Sequence, residues 1–193
     1  MKNPLLAAII AGVFGNAAIA EGPEPYIEYV YPVQAQQNAD WTGFYAGGLG
    51  GAQSGEISPG GNTFTTANLG GFAGYNFQKG QVVYGAEVAA QLGTMDLSGA
   101  PADVDLLIDA KARVGYSFGD ALLFASGGYT TTDTGALGGL SANGWNAGAG
   151  LDYALSDKFF VGGAYIYRSL PNATPAQYDY ASHGGQMRAG IRF

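Results

Sequence analysis

The chain contains no cysteine, a single histidine and few charges, 12% of its 193 residues. Without cysteine an exported protein has no disulfide staple, so its stability must come from the fold. One histidine and no cluster of ligand-type residues leave no metal site to predict, and nothing in the pattern asks for a cofactor. Cations are scarce. With Lys2 set aside, 7 basic residues stand against 15 acidic ones, a net of 7 − 15 = −8, which argues against nucleic acid as a partner. After residue 20 no apolar run reaches the length of a spanning helix. A membrane-embedded chain of this kind must cross as a closed barrel. No repeat of fixed period is present, which disfavours a solenoid. The glycine runs Gly47 to Gly51 and Gly138-Gly139 lack phosphate-loop spacing and its lysine, and fit strand curvature instead.

What the chain has in quantity is glycine (33), tyrosine (13) and phenylalanine (10), an unusual mix for a soluble globule. Its start reads as a secretory signal peptide over residues 1–20. Lys2 supplies the positive end, Leu5 to Phe14 the short apolar run, and Ala18-Ile19-Ala20 the small-residue cleavage site. Cleavage leaves 193 − 20 = 173 residues, enough for one domain. Residues 21–39 form a separate zone, broken by Pro23, Pro25 and Pro32 and made acidic by Glu21, Glu24 and Glu28. They are expected to be a loose periplasmic N-terminal extension. The same segment, Glu21 to Ala39, offers a place for a periplasmic or membrane protein partner.

The stretch Asp103 to Phe118, DVDLLIDAKARVGYSF, decides the class of the remaining region, residues 40–193. Taken two at a time, Val104, Leu106, Ile108, Ala110, Ala112, Val114, Tyr116 and Phe118 make one apolar face. Asp103, Asp105, Leu107, Asp109, Lys111, Arg113, Gly115 and Ser117 make the other. Period two is a strand. Crowded charges opposite a wholly apolar face fit a strand with lipid outside and a wet, charged interior. The phase repeats. Val82, Tyr84, Ala86, Val88, Ala90 and Leu92 point out with Glu87 and Gln91 in. Trp145 to Tyr153 alternates outward around Asn146 and Asp152. Met187, Ala189, Ile191 and Phe193 point out with Gln186, Arg188 and Arg192 in.

Eight such runs follow one another: Trp41 to Ala52, Thr63 to Phe77, Gln81 to Leu92, Asp103 to Phe118, Ala121 to Thr131, Asn143 to Leu155, Lys158 to Arg168 and His183 to Phe193. Their connections alternate short and long, as in outer-membrane barrels with tight periplasmic turns and longer outside loops. The expected fold is all-β, an eight-stranded antiparallel up-and-down transmembrane β-barrel in the cell outer membrane. Aromatic residues gather at the short-turn ends, among them Trp41, Tyr75, Phe77, Tyr84, Tyr116, Phe118, Phe124, Tyr153, Phe159, Phe160 and Phe193. Tyr129, Trp145, Tyr165 and Tyr167 form a second belt. Rings at both membrane boundaries are expected of such barrels. The long loops are expected to carry an acidic surface of Glu56, Asp96, Asp103, Asp133 and Asp179, with Arg168 its main basic member.

Particular motifs add a family resemblance. Asp40-Trp41-Thr42-Gly43-Phe44-Tyr45-Ala46-Gly47 resembles the opening strand of the small outer-membrane β-barrel superfamily, the OmpA-like or porin-like surface antigens of Gram-negative bacteria. Gly74-Tyr75-Asn76-Phe77-Gln78 resembles its second strand, and of all the motifs Gly144 to Leu155 with Ser156-Asp157 resembles the family most closely. Arg188-Ala189-Gly190-Ile191-Arg192-Phe193 resembles the last strand. The likeness runs from Asp40 to the end, and its motifs mark fold, not chemistry. It implies lipid and lipopolysaccharide as surroundings. It also implies that Phe193, with Ile191 before it, is read by the barrel-assembly machinery. Strand seven departs from the family pattern, with Gly162, Ala164 and Ile166 where alternating Arg and Glu are expected.

The inward set balances: Glu87, Asp105, Asp109 and Asp152 against Lys111, Arg113, Arg188 and Arg192. An eight-stranded barrel is just wide enough for side chains to fill, so these charges are expected to pair and plug the lumen. Glu87 is expected to contact Lys111 or Arg113, with Asp109 and Arg188 sharing the cluster. The resulting reading is a non-enzymatic protein with a structural or surface role, in envelope integrity or loop-mediated contact. Alternatives are a narrow porin-like channel, an assembly subunit that holds a partner through its N-terminal extension, and a lipid-modifying enzyme. The last would use His183 with Ser182 or Ser169. Adjacent strand residues point to opposite faces, so Ser182 and His183 make a poor nucleophile–base pair.

Overall fold

A computed structural model describes residues 39–58, 62–97, 100–134, 140–173 and 178–193; at the outer ends of several strands only the backbone is described. The proposed signal peptide, and the N-terminal extension up to residue 38, therefore lie outside the described residues. The chain forms eight strands: β1 (Gly43–Ser58), β2 (Asn62–Lys79), β3 (Val82–Leu97), β4 (Ala100–Phe118), β5 (Ala121–Thr134), β6 (Leu140–Ala154), β7 (Phe159–Ala173) and β8 (Tyr178–Arg192). Each pairs antiparallel with its sequence neighbours, and β1 pairs with β8, from Tyr45↔Arg192 to Ser58↔Asp179, closing the barrel. Closure removes both sheet edges, the condition for a strand structure in lipid.

Three connections are tight. Gly80-Gln81 and Gly119-Asp120 are two-residue turns whose glycines take φ of 63° and 60°. Such turns need a left-handed residue, which glycine supplies without strain. In the third, Ser156 Oγ accepts from the backbone N–H groups of Lys158 (3.3 Å) and Phe159 (3.1 Å). At the opposite end the strands run further than the sequence pattern suggests. Most of the expected loops 53–62, 93–102, 132–142 and 169–182 continue the ladder. About 9–11 residues suffice for a tilted strand to cross a bilayer. Strands of 14 to 19 residues therefore carry the barrel well past the membrane on this side. The reason the pattern ends early is physical: above the membrane there is no lipid to demand an apolar outer face. Register shifts between Gln91 and Gly93 and between Leu170 and Ala173 mark this upper region.

The period-two phase holds around the ring. Leu106, Val114, Tyr116 and Phe118 are exposed on β4, while Asp109, Lys111, Arg113 and Ser117 are buried. Strands β3, β6 and β8 follow the same rule. Phe44, Tyr75, Phe77, Tyr84, Tyr153 and Phe159 face outward near the short turns, and Tyr129, Trp145 and Tyr165 face outward higher up. Three aromatics expected at the boundary lie inside instead: Trp41, Phe124 and Phe160 are almost fully buried. β5 is too rich in small residues to phase by eye, and its inward set proves to be Leu122, Phe124, Ser126 and Thr130. Phe159-Phe160 is an adjacent pair, so one ring must turn inward.

Three layers of described side chains line the bore. Nearest the short turns, Trp41, Tyr45, Phe72 and Phe160 pack with Leu49, Val83 and Leu122. Tyr45–Phe72, Tyr45–Phe160 and Phe72–Phe160 each have ring centroids 6.1 Å apart, within the range of favourable aromatic pairs. The chain before β1 crosses this mouth. Ala39 N–H donates to Gly119 O (3.0 Å) in the β4–β5 turn, and Trp41 N–H donates to Gln78 Oε1 (2.8 Å). Arg192 stacks on the Trp41 ring at 4.6 Å and donates to the carbonyls of Asp40 (2.6 Å) and Ser156 (2.8 Å). The middle layer is polar. At the far end Ala142 and Leu170 pack with Tyr180, which lies edge-on to Phe64.

The inward rings need room on the neighbouring strand. A Cβ on Gly190 would sit 2.7 Å from both the Phe160 ring and the Ala46 carbonyl. A Cβ on outward Gly185 would meet nothing within 4 Å. Gly190→Ala should therefore cost about 1–3 kcal/mol through overpacking, and Gly185→Ala far less. Urea unfolding in lipid vesicles, followed by the heat-sensitive gel shift of folded barrel, measures both. Equal stability of the two variants would contradict this packing.

Candidate functional site

The middle layer is the chemically distinctive part of the molecule. Inward positions of β3, β4, β6, β7 and β8 bring seven charged side chains into the bore, every one nearly buried. Buried charges persist only when paired and hydrogen-bonded. The described side chains sort into two clusters.

The lower cluster is centred on Glu87. Glu87 and Lys111 are directly opposite in the β3–β4 ladder. Lys111 Nζ lies 3.1 Å from Glu87 Oε1. Arg188, three strands round the ring on β8, reaches across the bore. It donates from Nη2 to Oε2 (2.6 Å) and from Nη1 to Oε1 (3.2 Å). Arg113 Nη1 (3.3 Å) and the Tyr45 hydroxyl (3.0 Å) also donate to Oε2. One carboxylate thus accepts from three cations and a phenol. Arg113 Nη2 donates at 2.8 Å to Asp152 on β6. Arg188 Nε lies 3.4 Å from the other Asp152 oxygen, close enough for attraction but without hydrogen-bond geometry. The guanidinium faces rest on rings, Arg113 3.9 Å from Phe124 and Arg188 4.0 Å from Phe72. Such stacking favours arginine over lysine at both places.

The upper cluster is built on Asp109 and Arg168. Arg168 Nη2 donates to Asp109 Oδ2 (2.6 Å) and Nε to Oδ1 (3.1 Å), the two-pronged geometry that suits a guanidinium and a carboxylate. Arg168 Nη1 donates to Gln53 Oε1 on β1 (2.6 Å). Thr130 Oγ1 (2.7 Å) and Gln91 Nε2 (3.1 Å) complete the Asp109 shell. Gln91 accepts in turn from Gln186 Nε2 (2.9 Å) and from Asn68 Nδ2, so amides of β2 and β8 extend the upper cluster.

Two expectations are corrected here. Asp109 does not join Glu87; its carboxylate is taken by Arg168, one level higher. Arg168 is not an exposed member of the loop surface but fully buried, with 0% of its surface accessible. Its signal lay in the sequence. Gly162, Ala164 and Ile166 were phased inward on strand seven, and Arg168 is the next residue of that set. Gln53 was missed because strand one was ended at Ala52. Tyr45 on β1 and Phe124 on β5 lie in strands whose small residues give no phase, and Phe72 lies in the glycine- and alanine-rich middle of β2. Arg192, expected among the lumen charges, sits at the lower mouth on backbone carbonyls and on Trp41. The side chain of Asp105 lies outside the described residues. Phe193 and Ile191 face outward, and Phe193 N–H closes the ladder onto Phe44 O at 2.9 Å. Ser182 is buried toward Gln53, whereas His183 is exposed on the outer face beside Tyr165.

A closed eight-stranded barrel with an apolar outer band and a charged bore is the architecture of a small outer-membrane protein. The sequence places it within a known family: residues 30–193 match the outer membrane protein beta-barrel domain, and the chain belongs to that family. It is 30% identical over 181 residues to the 25 kDa outer-membrane immunogenic protein of Brucella canis, covering 89% of this chain and 82% of that one. It is 28% identical over 202 residues to the 22 kDa outer membrane protein of Rhizobium leguminosarum bv. viciae, covering 96% and 92%. Among solved structures, Neisserial surface protein A superposes with a TM-score of 0.50 at 16% identity, covering 79% of this chain and 98% of that one. That likeness is one of fold. The protein is an outer-membrane barrel related to surface antigens, and these relatives carry no enzymatic name.

The geometry ranks the lumen residues. Glu87→Gln would leave Lys111, Arg113 and Arg188 facing only Asp152, and should cost on the order of 3–5 kcal/mol. Lys111→Met leaves Glu87 both arginines and should cost clearly less. Urea titration of the refolded barrel in vesicles measures the two. A Lys111→Met loss as large as that of Glu87→Gln would show that Glu87 is not the hub.

Proposed function

We propose that this barrel has a structural and surface role in the outer membrane, supporting envelope integrity and making contacts through its long-loop end, with its lumen plugged by paired side chains. One observation carries the reading: Arg188 and Arg168 each span the bore, from β8 to β3 and from β7 to both β4 and β1. The ring layer below and Phe64, Leu170 and Tyr180 above add packed side chains at both ends, which supports the same reading. A steady ion path would require these pairs to separate inside a low-dielectric wall, at a cost of several kcal/mol each.

In this reading the short turns face the periplasm and the long strands project outward. The names of the Brucella relatives, outer-membrane immunogenic proteins, support a surface exposed to the outside. All of the chain's Lys and Arg residues lie elsewhere: Lys2 at the N-terminus, Lys79 and Lys158 at the short turns, and the other five within the barrel. The outer end is therefore without a cation, and direct contact with anionic partners is disfavoured there. Lipid and lipopolysaccharide surround the apolar band, and Phe193 offers its outward ring to the assembly machinery. A partner held through Glu21 to Ala39 remains part of the proposal. Ser182 and His183 on opposite faces of β8 weigh against lipid modification.

Two measurements test this. In planar bilayers the protein should give little or no conductance; a large, steady single-channel current would replace the plug with the narrow-channel alternative. Cysteine at Ser141 or Ala173 should react with an impermeant reagent on intact cells, and cysteine at Lys79 or Ser156 should not. The reverse labelling would invert the orientation.

A further inference from the structure

The lower cluster does not balance. Lys111, Arg113 and Arg188 carry three positive charges, and Glu87 and Asp152 carry two negative ones. Asp109 cannot make up the difference, since Arg168 holds both its oxygens. Asp105 is six residues along β4 from Lys111, roughly 20 Å at the rise of a strand. Asp40, Asp120 and Asp157 belong to the short-turn mouth, on the Arg192 side.

The lower cluster also holds donors without acceptors; its one acceptor without a hydrogen bond, Asp152 Oδ1, is not on the cavity wall described below. A carboxylate has about four lone-pair sites. Those of Glu87 are filled by Arg188, Arg113, Lys111 and Tyr45. Arg113 Nε is buried with no acceptor. Lys111 has three N–H donors, and Glu87 is its one polar partner among the described residues. Arg188 Nε also lacks a hydrogen bond, with only the 3.4 Å approach of Asp152. Unused donors and surplus positive charge thus coincide.

They also surround a space. Glu87, Lys111, Arg113 and Arg188, with Ser126 and Gln186, line a cavity of about 10 Å³ in the bore, closed by Phe124 and Ile166. That is room for about one water-sized guest. The lining offers ammonium, guanidinium, hydroxyl and amide donors, and its single carboxylate is already saturated. We propose that Lys111, Arg113, Arg188 and Ser126 hold one small monovalent anion of the chloride class inside the barrel. The anion neutralises the surplus charge and accepts from the idle donors. The lysine stem is long and flexible, and can yield the small extra space that chloride needs over water. A divalent or polyatomic anion such as sulfate or phosphate is excluded by size and by the surplus of a single charge, whereas a halide is not. The inference deepens the plugged-lumen reading, since an anion so enclosed is a part of the plug. The two can fail separately: a conducting bore overturns the plug, and the result below decides the anion.

Crystals of the full-length barrel grown in sodium bromide should show an anomalous bromide peak among Lys111 Nζ, Arg113 Nε and Ser126 Oγ. In detergent at constant ionic strength, the unfolding temperature should rise and saturate as bromide replaces gluconate. Lys111→Met, which removes both the surplus charge and two idle donors, should abolish that dependence. Water in place of bromide at the site, or equal stabilisation by gluconate, would overturn the proposal. So would an undiminished bromide dependence in Lys111→Met.

Discussion

In hydrocarbon every backbone N–H and C=O must find its partner within the protein, and here that demand is met only by the pairing of β1 with β8. The fourteen-residue ladder from Tyr45↔Arg192 to Ser58↔Asp179 leaves no edge. Everything else follows from closing the ring at eight strands. The bore becomes narrow enough that side chains from opposite walls touch. Whatever points inward is then forced into contact, and charges that point inward must be matched there. The Glu87 and Asp109 clusters are consequences of that narrowness as much as of their own chemistry.

The barrel wall and its filling use glycine and aromatic residues together. Phe160 lies over Gly190 and Phe72 over Gly47, where a Cβ would come within 2.7 and 2.6 Å of ring carbons. Rings thus occupy volume that a side chain on the next strand would otherwise claim. The same rings form platforms for the arginines. Arg113 and Arg188 sit over Phe124 and Phe72 while their terminal nitrogens grip Glu87 and Asp152. This joins composition to function: the abundance of glycine and of tyrosine and phenylalanine, odd for a soluble protein, is what lets a small bore be filled around buried charge.

Polar layering gives the two ends different characters. The short-turn mouth is crossed by Ala39 to Thr42 and fastened by Arg192 and Gln78. The other end rises beyond the membrane as paired strands, with a small apolar contact of Phe64 and Tyr180 inside.

The sequence by itself determined the class, the number of strands, the short turns and most of the in–out phase. Lipid outside and polar side chains inside impose period two, and that pattern survives without any knowledge of contacts. Hence Glu87, Lys111, Arg113, Asp152 and Arg188 could all be placed inside from Asp103 to Phe118 and its counterparts. Where the alternation is written in glycine and alanine, as in β1 and β5, it carries no polarity. Tyr45 on β1 cannot be phased for that reason, and Phe124 on β5, expected at the membrane boundary, lies inside. Strand length beyond the membrane was not legible either, because no lipid enforces the pattern there. Tertiary structure alone decided who meets whom. Neighbouring strands can be aligned by counting from a turn, which is how Glu87 finds Lys111. Partners three strands apart are set by the tilt and stagger of the closed ring, and no local pattern encodes them. That is why Asp109 meets Arg168, and why Glu87 collects two arginines and a surplus charge.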